Sequence, residues 1–117
     1  MLIPIHQLTP TQLDYALAVA LKRYAEVKIE KGANGPICTV RHDKIDRIGC
    51  AARHLPYWFR PSQYWGHGGP LVEEFKLGLR HDRPHPLDAA MRDLLLLSTG
   101  KHSAYIPDEY LTSKAKS

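Results

Sequence analysis

The sequence predicts an α+β domain in which two or three helices pack on a small antiparallel β-sheet. Three observations lead to this prediction: an apolar helical stripe early in the chain, two alternating segments joined by a glycine-rich turn, and a second apolar stripe that begins at a proline. The 117 residues suffice for one small domain. We therefore assign residues 1–112 to a single domain and residues 113–117 to a flexible tail.

The first helix is predicted over residues 11–24. Thr9 can cap it, Pro10 suits the first helical position, and Gln12 stands at the spacing of a capping box. Apolar side chains then recur at the spacing of one helical face, at Leu13, Ala16, Leu17, Ala20, Leu21 and Tyr24. Before this helix, the apolar residues 2–5 indicate a short edge strand, in which a proline limits pairing.

A β-hairpin is predicted next. Residues 27–30 alternate between apolar and charged side chains, residues 31–36 contain the Gly, Asn and Pro typical of a turn, and residues 37–40 form the returning strand. Residues 41–56 fit neither the helical nor the strand period, and a third short strand is predicted near 47–51.

The second half of the chain is predicted to be helical after an irregular stretch. Over residues 57–70, Pro61 and the glycines near the end of the stretch favour irregular structure. Pro70 suits the start of a short helix. Pro86 suits the start of a last helix, which we expect to end near Gly100.

Charge and cysteine content limit the kind of protein. The net charge is +4, and residues 21–60 contain nine basic and four acidic residues, which leaves +5 there and −1 elsewhere. A basic middle favours an anionic partner, although a solvated Lys/Arg-rich surface gives the same count. The chain has only two cysteines and no signal-peptide pattern, which predicts a cytoplasmic protein. It also has no apolar run of ~20 residues, so no contact with a membrane is expected.

Residues 57–70 form the richest candidate site, because they hold five of the ten aromatic residues. Aromatic rings stack on bases, arginine binds phosphate, and a glycine-rich turn before a helix presents free N–H groups. The candidate ligand-binding residues are Arg53, Trp58, Arg60, Tyr64, Trp65, His67, Gly68 and Gly69. The alternative is that the rings fill the core and the glycines only make a tight turn.

Other combinations of side chains give weaker evidence for a functional site. Cys38, His42, Cys50 and His54 are zinc-type ligands, but their spacing differs from that of known zinc motifs, so a metal site is left open. We find no nucleophile motif or carboxylate pair that predicts catalysis, and no cofactor is expected. Asp14 is expected to have a structural role, as a hydrogen-bond or ion-pair partner of a loop or of an arginine in the aromatic stretch.

Three segments together resemble the phage NinX-like family. Leu8–Ala18 (LTPTQLDYALA) resembles its opening L-T-G-x-x-L-D-x-x-V-A, Arg60–Glu73 (RPSQYWGHGGPLVE) its block Y-S-P-S-T-D-W-A-Q-G-G-P-I-I-E, and Pro86–Arg92 (PLDAAMR) its helix P-L-I-A-A-M-R. The segments occur in the family's order and cover roughly a third of the chain. The chain departs from the pattern in a longer basic insert at 26–56 and in a shortened link at 76–85, which lacks a tryptophan-bearing hairpin. The resemblance implies a phage or prophage protein in a bacterial cytoplasm, without an assigned activity.

The sequence thus predicts a non-catalytic, homo-oligomeric phage protein that binds or sequesters a small anionic nucleotide-derived ligand, with a counter-defence role. Two alternatives remain. One is a nucleic-acid-binding accessory protein that uses the basic segment, and the other is an inhibitor that contacts a host protein through its aromatic surface.

Overall fold

The computed structural model describes residues 1–22, 24–32, 35–42, 57–79 and 85–111. The strands in these ranges are β1 (Leu2–Pro4), β2 (Tyr24–Gly32), β3 (Gly35–His42), β4 (Tyr57–Trp58) and β5 (Ser103–Tyr105). The helices are α1 (Pro10–Leu21), α2 (Trp65–Glu74), α3 (Pro86–Thr99) and the single turn α4 (Asp108–Leu111). The predicted α+β class is confirmed, with four helices and two small antiparallel sheets in the described ranges. In this part of the chain, no helix is long and apolar enough to span a bilayer.

Helix α1 begins as its sequence predicts. The Thr9 side chain accepts a hydrogen bond from the Gln12 N–H at 3.2 Å, and the Gln12 side chain accepts one from the Thr9 N–H at 3.1 Å. The helix ends three residues earlier than predicted, because Lys22 adopts the left-handed conformation with φ 56°. Tyr24 therefore begins strand β2 rather than ending the helix, and the prediction for its position is wrong.

The predicted hairpin is present as β2 and β3. The strands pair antiparallel from Val27 opposite Val40 to Gly32 opposite Gly35, where the chain reverses. The short strand β4 adds to the other edge of β3, with Trp58 opposite Thr39. The third strand predicted near 47–51 lies outside the described residues.

The core lies between α1, α3 and the three-stranded sheet. Its most deeply buried apolar side chains come from both long helices, from β3 and from the segment after β5, and include Leu13, Leu17, Val40, Met91, Leu94, Leu95 and Ile106. The predicted last helix is confirmed as α3, which begins at Pro86 and is followed by Gly100 in the left-handed conformation with φ 68°. The second sheet pairs β1 with β5.

Helix α2 corrects one prediction. The prolines and glycines over residues 57–70 predict irregular structure, but the helix begins at Trp65 and passes through Gly68, Gly69 and Pro70. It begins early because Gly68 has no side chain. A Cβ atom at Gly68 would overlap the Pro61 carbonyl oxygen and would lie 2.6 Å from a Leu87 methyl group. The glycine thus lets α2 approach the turn before it and helix α3.

Gly68→Ala is therefore expected to destabilise the protein, and Gly69→Ala to stabilise it slightly. The first variant must move the backbone of α2, which typically costs about 1–3 kcal/mol. The second adds a methyl group with no atom within 4 Å, and alanine in a helix gains about 0.5–1 kcal/mol over glycine. Chemical denaturation of both variants measures the difference. Equal stability of the two would show that α2 does not pack closely at Gly68.

Candidate functional site

Three aromatic side chains of the predicted site are exposed. Trp58, Tyr64 and Trp65 retain 58%, 59% and 53% of their accessible surface, whereas Phe59 between them retains 5%. Trp58 ends β4, and the Phe59 N–H after it still donates to the Cys38 carbonyl at 2.9 Å, so the two neighbouring side chains point to opposite faces of the sheet. The core therefore accounts for Phe59 and leaves three large rings in contact with solvent.

Two of these rings form a cleft with a cationic and an imidazole side chain. Trp58, Arg60, Tyr64 and His67 line a cavity of about 320 Å³, which lies at the lower end of the range for small-molecule sites. Trp58 comes from β4 and His67 from α2. The Tyr64 and His67 rings lie 5.3 Å apart, since Tyr64 caps the first turn of α2 and its carbonyl accepts from the His67 N–H at 3.0 Å. We call this cavity the aromatic cleft.

A backbone hydrogen bond fixes the imidazole of the aromatic cleft. The Arg60 N–H donates to His67 Nδ1 at 3.0 Å, so the neutral ring carries its proton on Nε2. Burial and the Arg60 charge both lower the pKa of His67 below its usual value. The ring is therefore neutral at physiological pH and can donate a hydrogen bond from Nε2.

The Arg60 guanidinium supplies the positive charge of this cleft. Its Nη2 donates to the Gln63 side-chain oxygen at 3.1 Å. Within the described ranges, no carboxylate oxygen lies within 4 Å of the Arg60 side chain. None of the described carboxylates therefore competes with an anionic ligand for this charge.

The turn that carries Arg60 and Tyr64 is anchored to helix α1. The Ser62 N–H donates to Asp14 Oδ1 at 3.0 Å, and the Ser62 hydroxyl donates to the Pro10 carbonyl at 3.3 Å. The structural role predicted for Asp14 is confirmed, since it bonds to the aromatic stretch through a backbone N–H group. Ser62, an ordinary loop residue by its sequence context, is buried because of these two bonds.

Asp14 is the one fully buried carboxyl among the residues that the structure describes. Its exposed fraction is 1%, and its Oδ2 atom has no hydrogen-bond partner among the described residues. Burial raises the pKa of Asp14 to about 7, although the hydrogen bonds from Ser62 and the charge of Arg60 act in the opposite direction. The carboxyl group therefore titrates near neutral pH.

A second and larger cavity lies on the other side of the start of α2. Its volume is about 440 Å³, and its walls combine apolar and polar side chains from three separate segments, namely Pro10, Ser62, Gln63, Trp65, His85, Pro86, Leu87 and Asp88. We call it the interhelical cleft. The sequence gives no local signal for it, because the segments are brought together only by tertiary packing.

The predicted site residues thus fall into four groups. Trp58, Arg60, Tyr64 and His67 come together in the aromatic cleft, and Trp65 lies in the interhelical cleft. Gly68 and Gly69 lie inside α2, and the Gly68 N–H already donates to the Tyr64 carbonyl at 2.8 Å. Their predicted role as phosphate-binding backbone is therefore not supported by the geometry of the helix. Arg53 lies outside the described residues.

The described part of the proposed metal motif is a buried thiol. Cys38 lies in β3 with 1% of its surface exposed, and burial raises the pKa of its thiol above the usual value. Cys50, His54 and the His42 side chain lie outside the described residues. Among the residues that are described, no three metal-ligating side chains cluster.

Two of the described cations of the basic segment are paired with acid groups, whereas Arg60 has no described acidic partner. Lys28 lies 3.7 Å from Glu30, and Arg41 lies 3.5 Å from Glu26, all on the β2–β3 hairpin. Lys28 and Arg41 therefore add no unpaired positive charge to the hairpin.

The comparisons with known proteins assign no family to this chain. No protein-family model matches it, and a search of curated proteins finds no similar sequence. The resemblance to the NinX-like family therefore stays a prediction that depends on its three segments.

Proposed function

We propose that this chain is a non-catalytic binding protein for a small nucleotide, whose base stacks in the aromatic cleft and whose phosphate contacts Arg60. One observation carries the proposal. Exposed Trp58 and Tyr64 side chains line the same cavity as a guanidinium that no described carboxylate neutralises. Exposing large rings to water is unfavourable unless a partner covers them, and a base covers a ring well.

The groups of this cleft match the two parts of a nucleotide. Base stacking on an aromatic ring contributes about 1–3 kcal/mol, and an arginine–phosphate contact is among the stronger hydrogen bonds in proteins. His67 adds a neutral Nε2–H donor, which can bond to a phosphate or ribose oxygen without a competing charge. A ligand without charge would leave Arg60 unused, and one without a flat ring would leave Trp58 exposed.

Calorimetric titration with AMP, adenosine and ribose phosphate tests the proposal. We expect AMP to bind most tightly. Trp58→Ala should weaken the binding of AMP and of adenosine by about tenfold each, since both ligands lose a stacking contact. Arg60→Ala should weaken AMP binding about tenfold and leave adenosine binding unchanged, since only AMP carries a phosphate.

Lys101→Ala serves as the matched control, because it removes an exposed cation that lies outside both clefts. It should change neither affinity. The absence of binding heat with AMP at millimolar concentration would overturn the proposal. So would equal effects of Arg60→Ala on AMP and adenosine, since these would show that the charge does not meet the phosphate.

The biological setting is proposed from the resemblance and not from the cleft. A phage protein that binds a nucleotide without turning it over can sequester a host signal, and this role matches the counter-defence expectation. Its predicted homo-oligomeric state stays a prediction. The nucleic-acid and host-inhibitor alternatives also stay predictions, and the paired charges of the hairpin give the first of them no added support.

A further inference from the structure

The interhelical cleft has ligand-binding features that the proposed nucleotide does not use. Trp65, which is about half exposed, lines the cleft, and Leu87 contributes an apolar wall. Gln63 and Asp88 contribute hydrogen-bonding groups at the same cavity. A flat ring on one side and polar edges beside it are the features that recognise a base.

The described lining of the interhelical cleft contains no lysine or arginine that would hold a second phosphate, which favours an uncharged group. The Asp88 charge is balanced by the Arg92 fork, at 2.6 Å to Oδ1 and 3.3 Å to Oδ2, so Asp88 contributes hydrogen-bond acceptors rather than a net charge. Carboxylate oxygens accept hydrogen bonds only, and they commonly pair with the exocyclic amino group of a base. The group that fits is therefore a neutral amino-bearing base such as adenine.

The two clefts share no lining residue, but a hydrogen bond between Arg60 and Gln63 joins their walls. Gln63 lines the interhelical cleft, while its side-chain oxygen accepts the hydrogen bond from Arg60 of the aromatic cleft. Tyr64 and Trp65 are consecutive residues, so their Cα atoms are ~3.8 Å apart, yet they line different cavities. The Arg60–Gln63 contact therefore places the two clefts next to each other, with Arg60 at their junction.

We infer that the ligand is a dinucleotide, with one base in the aromatic cleft, the second base in the interhelical cleft, and the phosphate that links the two nucleosides at Arg60. This inference rests on the proposed function, because the first base and the phosphate occupy the site described above. It adds the second base and a role for Trp65, Gln63 and Asp88.

Titration with AMP and with the dinucleotide adenylyl adenosine tests the inference. AMP carries the larger negative charge, so any gain with the dinucleotide comes from its second base rather than from charge. We expect the dinucleotide to bind at least tenfold more tightly than AMP. Trp65→Ala should abolish this advantage and change AMP affinity by less than twofold. Tyr105→Ala, which removes an exposed ring on β5, should change neither affinity.

The outcomes separate the two proposals. Binding of AMP by the wild type, without any advantage of the dinucleotide or with equal effects of Trp65→Ala on both ligands, overturns the dinucleotide inference alone. Failure of both AMP and the dinucleotide to bind overturns the proposed function as well. Circular dichroism of each variant confirms that a lost affinity is not a lost fold.

Discussion

The stability of the protein is expected to fall by about 2–3 kcal/mol between pH 5 and pH 8 through Asp14 alone. Burial raises the pKa of Asp14 from 3.8 to about 7 in the folded state. Between these two values the folded chain holds a proton that the unfolded chain has lost, so the folded state is favoured there. This stabilisation is complete below the unfolded pKa, decreases as pH rises toward about 7, and is lost above it.

Asp14→Asn isolates this contribution. The amide keeps an oxygen that can accept from the Ser62 N–H, and it does not ionise. Relative to the wild type, the variant should therefore gain about 2–3 kcal/mol on going from pH 5 to pH 8. Chemical denaturation at several pH values measures the difference, with Asp93→Asn on the exposed side of α3 as the control. Parallel pH profiles of wild type and Asp14→Asn would contradict a buried carboxyl that titrates near neutrality.

Arg92→Ala is expected to cost about 2–4 kcal/mol of folding free energy. The guanidinium binds both oxygens of Asp88 and also donates to the backbone carbonyls of Ile5 and Leu8. Both charged side chains are largely buried, with 21% of each exposed. Truncation would break hydrogen bonds to a charged group and leave the Asp88 carboxylate without its ion pair.

The matched control for this variant is Arg41→Ala. Arg41 pairs with Glu26 at 3.5 Å, but both side chains are more than a third exposed, and such pairs contribute about 0–1 kcal/mol. Arg92→Lys should have an intermediate effect, since it keeps the charge and loses the planar fork. A loss of less than 1 kcal/mol in Arg92→Ala would mean that α3 is not held to the N-terminal segment through this side chain.

Local signals predicted much of the fold. The capping box at Thr9, the alternation over residues 27–30 and the terminal residues Pro86 and Gly100 each depend on near neighbours in sequence, and each gave an element that the structure contains. The start of α2 could not be found this way. Local propensity at Gly68 and Pro70 opposes a helix, and the close approach of Gly68 to Pro61 and Leu87 exists only in the folded structure.

The site was predictable in part for the same reason. Trp58, Arg60 and Tyr64 lie within seven residues, so a compositional signal could identify them. The exposure of Trp58 beside the burial of Phe59 depends on β4 pairing with β3. The burial of Asp14 depends on Ser62, 48 residues away, and the interhelical cleft joins residues as distant in sequence as Pro10 and Asp88. No local pattern reveals either.

The most direct test of the aromatic cleft uses the two tryptophans of the chain, whose indole N–H groups give separate nuclear magnetic resonance signals. In a titration with AMP, we expect a saturable shift of the Trp58 indole signal, because the base stacks on that ring. The Trp65 indole, which lines the other cleft, should shift little with this mononucleotide. A Trp58 signal that stays unchanged at millimolar AMP, or a shift confined to Trp65, would contradict nucleotide binding in the aromatic cleft.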